Sequence, residues 1–487
     1  MEVLLKIWIF FVNNILTQPA YFIGFIVLIG YILLKKPWYE CLAGFLKATV
    51  GYLILTVGSG GLVSNFRPIL VGLKDKFNLQ ATVIDPYYGQ NAVQSAMEHI
   101  GKSFSQVMLL LLIAFIFNIL LVAFRKITKI RSIFTTGNVQ IQQAATAFWL
   151  IFFCFPELGD TPILIVMSLL LGLYWAVGSN LTVEITQDLT EGGGFCVAHQ
   201  QIFALKIFST IAEKIKGKGE GKKLEDIQLP GFLSIFNENM VSTAILMLLF
   251  FGVILITLGK DYLIENKFMK EGQSFFFYTL TTALYFAVYL AILQLGVRTF
   301  VTELTQSFQG ISTRLLPGAV PGIDCAATFG FGSANAVTIG LLFGAAGQFL
   351  AIITLILLKS PVVIIAGFIP VFFDNATIAV FANNRGGVKA ACILPFISGL
   401  CQVFGSAFIS YWVGLATYGG YLGMWDWAVL WPGFTIIMKY LGYIGIGIVA
   451  LILIAIPQIQ YLKNKDTYFL ITDDYEAYKE KMKSKVN

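Results

Sequence analysis

The chain has 487 residues, of which 57% are hydrophobic and only 12% charged, and its formal net charge is +6. This composition excludes a water-soluble enzyme and describes an integral membrane protein. The six cysteines are scattered without a CxxC spacing, which excludes a disulfide framework and leaves no cysteine zinc site.

In chain order, an apolar helix over residues 3–16 lacks a small-residue cleavage pattern and reads as retained, and a span over residues 21–34 comes after it. The next helix, Cys41 to Thr56, runs into Gly58-Ser59-Gly60-Gly61, where four small residues predict a break. Arg67 to Gln94 is too polar to cross a membrane and contains Ile84-Asp85-Pro86-Tyr87. Val107 to Phe124 and Ala144 to Phe155 read as spans on either side of a basic connection, and Thr161 to Val177 as another. Thr186 to Gln201 is too short and too polar to cross and predicts a re-entrant hairpin, with Gly192-Gly193-Gly194 leading to His199-Gln200-Gln201. A Lys/Gly/Glu-rich stretch, Glu213 to Asp226, divides the chain before the spans Val241 to Leu258 and Val337 to Leu358.

At ~40 residues per span with its loop, the chain holds about ten or eleven spans and no soluble catalytic domain. The expected fold class is an all-α polytopic membrane protein. Its membrane halves are residues 1–212 and 231–462, with a basic cytoplasmic linker at 213–230 and a charged cytoplasmic tail at 463–487. Basic clusters at Lys35-Lys36, Arg125 to Arg131 and Lys214 to Lys223 place those connections in the cytoplasm. They border spans and lack interleaved aromatics, so no nucleic-acid partner is expected.

The halves echo one another. Leu55-Thr56, Gly61, Leu62, Ser64 and Pro68 match Leu304-Thr305, Gly310, Ile311, Thr313 and Pro317 at an offset of 249, and Ile84-Asp85 matches Ile323-Asp324 at an offset of 239. Repeats broken at corresponding places point to an alternating-access transporter, with inverted copies favoured.

The polar residues between spans supply candidate chemistry. Ionisable groups at membrane depth are expensive unless they face a cavity or a partner, and so mark a substrate path. Asp85 and Asp324 can each accept two hydroxyls or take the proton of one. His199, Gln200 and Gln201 stand just after a glycine run, and Asn138, Gln140, Gln142 and Gln143 form a second amide group that offers donors and acceptors together. The structural alternatives are a bridging histidine, amides that join helices, and an Asp324–Arg314 salt bridge. His99, beside Glu98, reads as a surface residue. No metal is implied, because no other residue completes a spaced ligand set, and no cofactor is expected. The set suits a small polyhydroxylated ligand.

The chain resembles, from its first helix to about residue 460, the membrane IIC permease of the bacterial ascorbate phosphotransferase system. The matching stretches are Gly58-Ser59-Gly60, Thr136-Gly137 with Gln142-Gln143-Ala144, Gly194-Phe195 with Ala198-His199-Gln200-Gln201, and Leu229-Pro230-Gly231-Phe232-Leu233. They continue through Asn239 to Ile245, Arg314 to Val320, Ile323-Asp324-Cys325-Ala326-Ala327 and Gly367 to Asn383. The resemblance implies an eleven-helix homodimer in the bacterial cytoplasmic membrane. A core domain would bind ascorbate between two inverted repeats with re-entrant hairpins, and a V-motif scaffold would dimerise. The family's ligand positions fall on Gly58, Ser59, Tyr87, Gln142, His199, Gln200 and Asp324. Two neighbouring positions depart from better-known members: Asn138 replaces a histidine and Pro86 a threonine.

Together these features read as a permease that takes up L-ascorbate and releases it phosphorylated, with Asp324 or His199 as base. The phosphoryl group would come from a cysteine of a separate IIB protein charged by IIA, so the chain itself is a transport subunit and not an enzyme. A galactitol-type permease is the alternative within the system, and an ion-coupled secondary transporter the alternative outside it. A structural or channel protein fits the buried polar groups poorly.

Overall fold

The computed structural model describes residues 19–77, 80–216, 222–227, 230–232, 235, 239–316 and 318–486. The helix expected over residues 3–16 lies outside them. The first half runs α1 (Pro19–Leu33), α2 (Trp38–Phe77), β1 (Gln80–Ile84), α3 (Pro86–His99), α4 (Ser105–Ala123), β2 (Ser132–Phe134), α5 (Gly137–Cys154), α6 (Asp160–Thr190), β3 (Cys196–Val197) and α7 (Ile202–Lys216). The second half runs α8 (Asn239–Leu258), α9 (Phe275–Leu315), β4 (Val320–Ile323), α10 (Ala334–Leu357), β5 (Val362–Ala366), α11 (Asn375–Trp412), β6 (Gly420–Tyr421), α12 (Trp431–Lys463) and a final helix, α13 (Tyr475–Val486). Five helical stretches among the described residues are long and apolar enough to cross a membrane: Trp38–Gly58, Asp160–Thr190, Asn335–Leu357, Pro370–Trp412 and Asp426–Lys463.

The break expected at Gly58 to Gly61 does not occur, because α2 is one continuous 40-residue helix. Gly51 and Gly61 serve packing instead, whereas a Cβ on Gly60 would meet nothing within 4 Å. A Cβ on Gly51 would lie 2.7 Å from the Phe300 backbone nitrogen, and one on Gly61 would lie 2.2 Å from the Tyr289 ring. Small residues thus let α2 press against α9, as membrane helices commonly do. The Tyr31 hydroxyl of α1 donates to Glu303 of α9 at 2.5 Å, and Lys47 of α2 reaches the same carboxylate at 3.2 Å, tying the three helices together.

The all-α expectation needs one correction: the chain is mostly helical but carries two three-stranded parallel sheets, in the orders β5-β1-β6 and β2-β4-β3. Strands of two to five mostly apolar and largely buried residues carry no period that separates them from helix in sequence. Each central strand is flanked by strands from the opposite half of the chain. β1 comes after the 40-residue α2 and ends in Ile84-Asp85, while β4 comes after the 41-residue α9 and ends in Ile323-Asp324. The Ile-Asp echo is therefore the centre of each sheet.

Two further expectations change. Thr186 to Thr190 complete the long α6, and the turn at Gly192 and Gly194, with φ of 90° and 73°, delivers β3 as a sheet edge in place of a helical hairpin. Arg131, expected in a solvated basic loop, is fully buried. Its guanidinium donates to Asn180 Oδ1 at 3.1 Å and to the Tyr468 carbonyl at 2.6 Å, and it stacks 3.7 Å from the Tyr468 ring. The segment after Lys463 thus docks on the core through Tyr468.

Candidate functional site

In the sheet β2-β4-β3, all three strands run parallel and end together, with Phe134 beside Gly322 and Val197 beside Ile323. Each strand gives way to a polar segment: Thr135-Thr136-Gly137-Asn138 after β2, Asp324 after β4, and Ala198-His199-Gln200-Gln201 after β3. Carboxyl ends of parallel strands are where such sheets place ligands. Helices α5 and α7 begin here; the first-turn N–H groups of α7 are taken by Asp426, so the positive end offered to the site is that of α5. The loops are pinned by the Thr135 hydroxyl, which donates to the Gly322 carbonyl, and the Thr136 hydroxyl, which donates to the Ala198 carbonyl, each at 2.6 Å.

A relay of amides sets the polarity of the site. The Trp175 indole is a donor only, and it gives its N–H to Gln143 Oε1 at 2.6 Å. Gln143 must then turn its nitrogen outward, donating to Gln200 Oε1 at 2.9 Å and to the His199 carbonyl at 3.1 Å. Gln200 in turn donates to Gln142 Oε1 at 2.9 Å. The Gln142 amide nitrogen is thereby turned toward Tyr87, whose phenol also faces Asn138. Among the described residues, Asn138 Oδ1 is buried without a hydrogen-bond partner, an acceptor available to a ligand.

A second relay fixes His199. Gln201 donates from Nε2 to the Phe373 carbonyl at 3.2 Å, so its Oε1, 2.7 Å from His199 Nδ1, must accept the proton there. In the neutral imidazole His199 Nε2 then carries the lone pair. It faces Asp324 Oδ2 across 3.9 Å, two acceptors with a gap suited to a donor between them. Asp324 Oδ1 is anchored by the Ala326 N–H at 2.9 Å. Donors at Gln142 and Tyr87 and acceptors at Asn138, His199 and Asp324 together suit a small polyhydroxylated ligand with acidic character.

The structure thus gathers Tyr87, Asn138, Gln142, His199, Gln200 and Asp324. Asp85 ends the central strand of the other sheet and caps α3, accepting the Tyr87 N–H at 3.0 Å, with Pro86 at the first position of that helix. Gly58 and Ser59 lie midway along α2, and the Ser59 side chain is outside the described residues. The Arg314 side chain, the rival partner for Asp324, is outside the described residues. Gln140 serves structure, donating to the Phe134 carbonyl at 3.2 Å, and His99 is exposed as expected. Trp175 was missed as a support, while Gln201, named from the sequence, proves to be one. Gln201 adjoins His199 and Gln200 in sequence, whereas nothing local marks Trp175.

The other sheet is similar in topology and different in chemistry. After β5 and β6 come Gly367-Phe368-Ile369 and Leu422-Gly423-Met424-Trp425, so apolar side chains stand where the first sheet has amides and histidine.

A family model described as the PTS system sugar-specific permease component matches residues 14–429. The ascorbate-specific PTS system EIIC component of Mycoplasma pneumoniae is 33% identical over 434 residues, covering 81% of this chain and 65% of that protein. The chain so spans less than two thirds of the length of that relative.

Proposed function

We propose that this chain, which belongs to the PTS system sugar-specific permease component family, is the IIC permease that takes up L-ascorbate. It is a multi-pass protein of the bacterial inner membrane. The observation that carries the reading is the polar end of the β2-β4-β3 sheet, where the α5 N-terminus and the Gln142 donor meet the His199–Asp324 acceptor pair. A sugar acid is an anion with several hydroxyls, and it uses both halves of that site. A galactitol-type substrate offers hydroxyls alone and leaves the α5 N-terminus without a counter-charge, so it is the second reading.

In this reading the bound hydroxyl bridges His199 Nε2 and Asp324 Oδ2. Its proton passes to one of them as the oxygen attacks phosphorus in line, the phosphorus–sulfur bond breaks, and the leaving group is the cysteine thiolate of a IIB partner recharged by IIA. The chain contributes position and a base. Eleven spans, a V-motif scaffold built on α1, α2, α8 and α9, and a homodimer complete the proposal. The halves are residues 1–212 and 231–462, joined by the linker at 213–230 and trailed by the tail at 463–487. Family membership and the 33% identical relative support it.

Cells lacking the general phosphocarrier proteins should accumulate no ascorbate through this chain. Normal accumulation of the unmodified compound there would favour an ion-coupled transporter. Asn138→His exchanges one neutral hydrogen-bonding group for another, so ascorbate binding should stay within about 1 kcal/mol of wild type. A many-fold gain for galactitol or another sugar acid in a competition assay would show that this position selects the substrate.

A further inference from the structure

We propose that the same pocket binds a thiophilic divalent cation, Zn²⁺ or Cd²⁺, through His199, Asp324 and Cys325, and that the cation and the sugar acid exclude one another. The sequence hid this set because His199 stands 125 positions before Cys325's neighbour Asp324. The sheet brings them together: Val197 pairs with Ile323, and His199 and Cys325 each lie two residues beyond that pair. One donor atom from each residue, an imidazole nitrogen, a carboxylate oxygen and the thiol sulfur, lies within 4.8 Å of the other two.

The supports of these groups suit metal binding. A ligating histidine usually gives its second ring N–H to an oxygen that fixes the tautomer. Gln201 Oε1 already does this at Nδ1, 2.7 Å away, leaving the Nε2 lone pair. Asp324 is likewise held by Oδ1, which leaves Oδ2 free toward Nε2. Bonds of roughly 2.0–2.3 Å in a tetrahedron separate ligand atoms by about 3.3–3.8 Å, so shifts of about 1 Å close the set. One nitrogen, one oxygen and one sulfur favour zinc or cadmium over magnesium or calcium. The Asp324 side chain keeps 24% of its surface accessible, which provides a way in. On binding, the Cys325 S–H bond gives way to a sulfur–metal bond and its proton leaves to solvent. The ion fills the gap between His199 and Asp324 that a ligand hydroxyl would bridge. Only this exclusion rests on the ascorbate reading.

The test uses the purified full-length protein with CdCl₂ alone, followed by thiolate-to-cadmium absorption in the ultraviolet, and labelled ascorbate binding with and without ZnCl₂. The wild type should show the absorption and lose ascorbate binding as zinc is added. Cys325→Ser should abolish the absorption, raise the zinc needed for inhibition at least ~10-fold, and bind ascorbate normally without metal. Absorption that is absent in the wild type or unchanged in Cys325→Ser overturns the site. Zinc that leaves ascorbate binding untouched overturns the exclusion. A protein that binds no ascorbate at all, yet loses its cadmium signal on Cys325→Ser, strikes the transport reading and supports the metal site.

Discussion

Replacing Asp324 with asparagine should weaken ascorbate binding by roughly ten- to a hundredfold, the scale of one hydrogen bond to a charged acceptor. The amide keeps a carbonyl for the Ala326 N–H, so the turn after β4 survives. The change falls on the other oxygen, which becomes a donor facing the His199 Nε2 lone pair. The two side chains then satisfy each other, and the gap meant for a ligand hydroxyl closes. Phosphorylating uptake should fall further than binding, because an amide takes no proton. Elution of the variant as a monodisperse, membrane-inserted protein must come first. Wild-type binding and uptake in such a protein would refute both roles.

The second large effect is expected on stability. Asp426 is fully buried, accepting the Tyr174 hydroxyl at 2.8 Å and the Phe203 and Ala204 N–H groups at 2.9 and 3.0 Å. Phe203 and Ala204 lie in the first turn of α7, so a carboxylate from the far end of the chain caps the helix that carries His199 at its approach. Asp426→Ala leaves three buried donors unpaired, each worth about 1–3 kcal/mol, and should destabilise the fold by on the order of 3–5 kcal/mol. Asp426→Asn retains one accepting oxygen and should be distinctly milder. Thermal unfolding in detergent distinguishes them, and a midpoint for Asp426→Ala equal to wild type would show that the cap contributes nothing.

The sequence made much of the site readable because polar groups are rare in such a chain. Asp324, His199, Gln200 and Gln142 stood out against apolar surroundings, and the Ile-Asp echo marked two central strands before any strand was expected. What stayed hidden depends on contacts across the fold. Trp175 looks like any apolar-span aromatic until its N–H meets Gln143. Arg131 looks solvated until Tyr468, more than three hundred residues later, covers it. Gly61 of α2 suggested flexibility, and only the proximity of Tyr289 on α9 shows that it is there for closeness.

The exchange of strands between halves has a consequence for how the protein is made. β1 leaves the ribosome long before β5 and β6 exist, and β2 and β3 long before β4. Until the second half is synthesised, the edges of these strands have no backbone partners, in a medium that offers no water to replace them. The first half must therefore wait in an unfinished state, sheltered by the insertion machinery or kept near the aqueous boundary. The ligand site is complete only when Val320 to Ile323 pair with β2 on one side and β3 on the other. Neither half is a domain in the folding sense, and binding competence arrives in one late event.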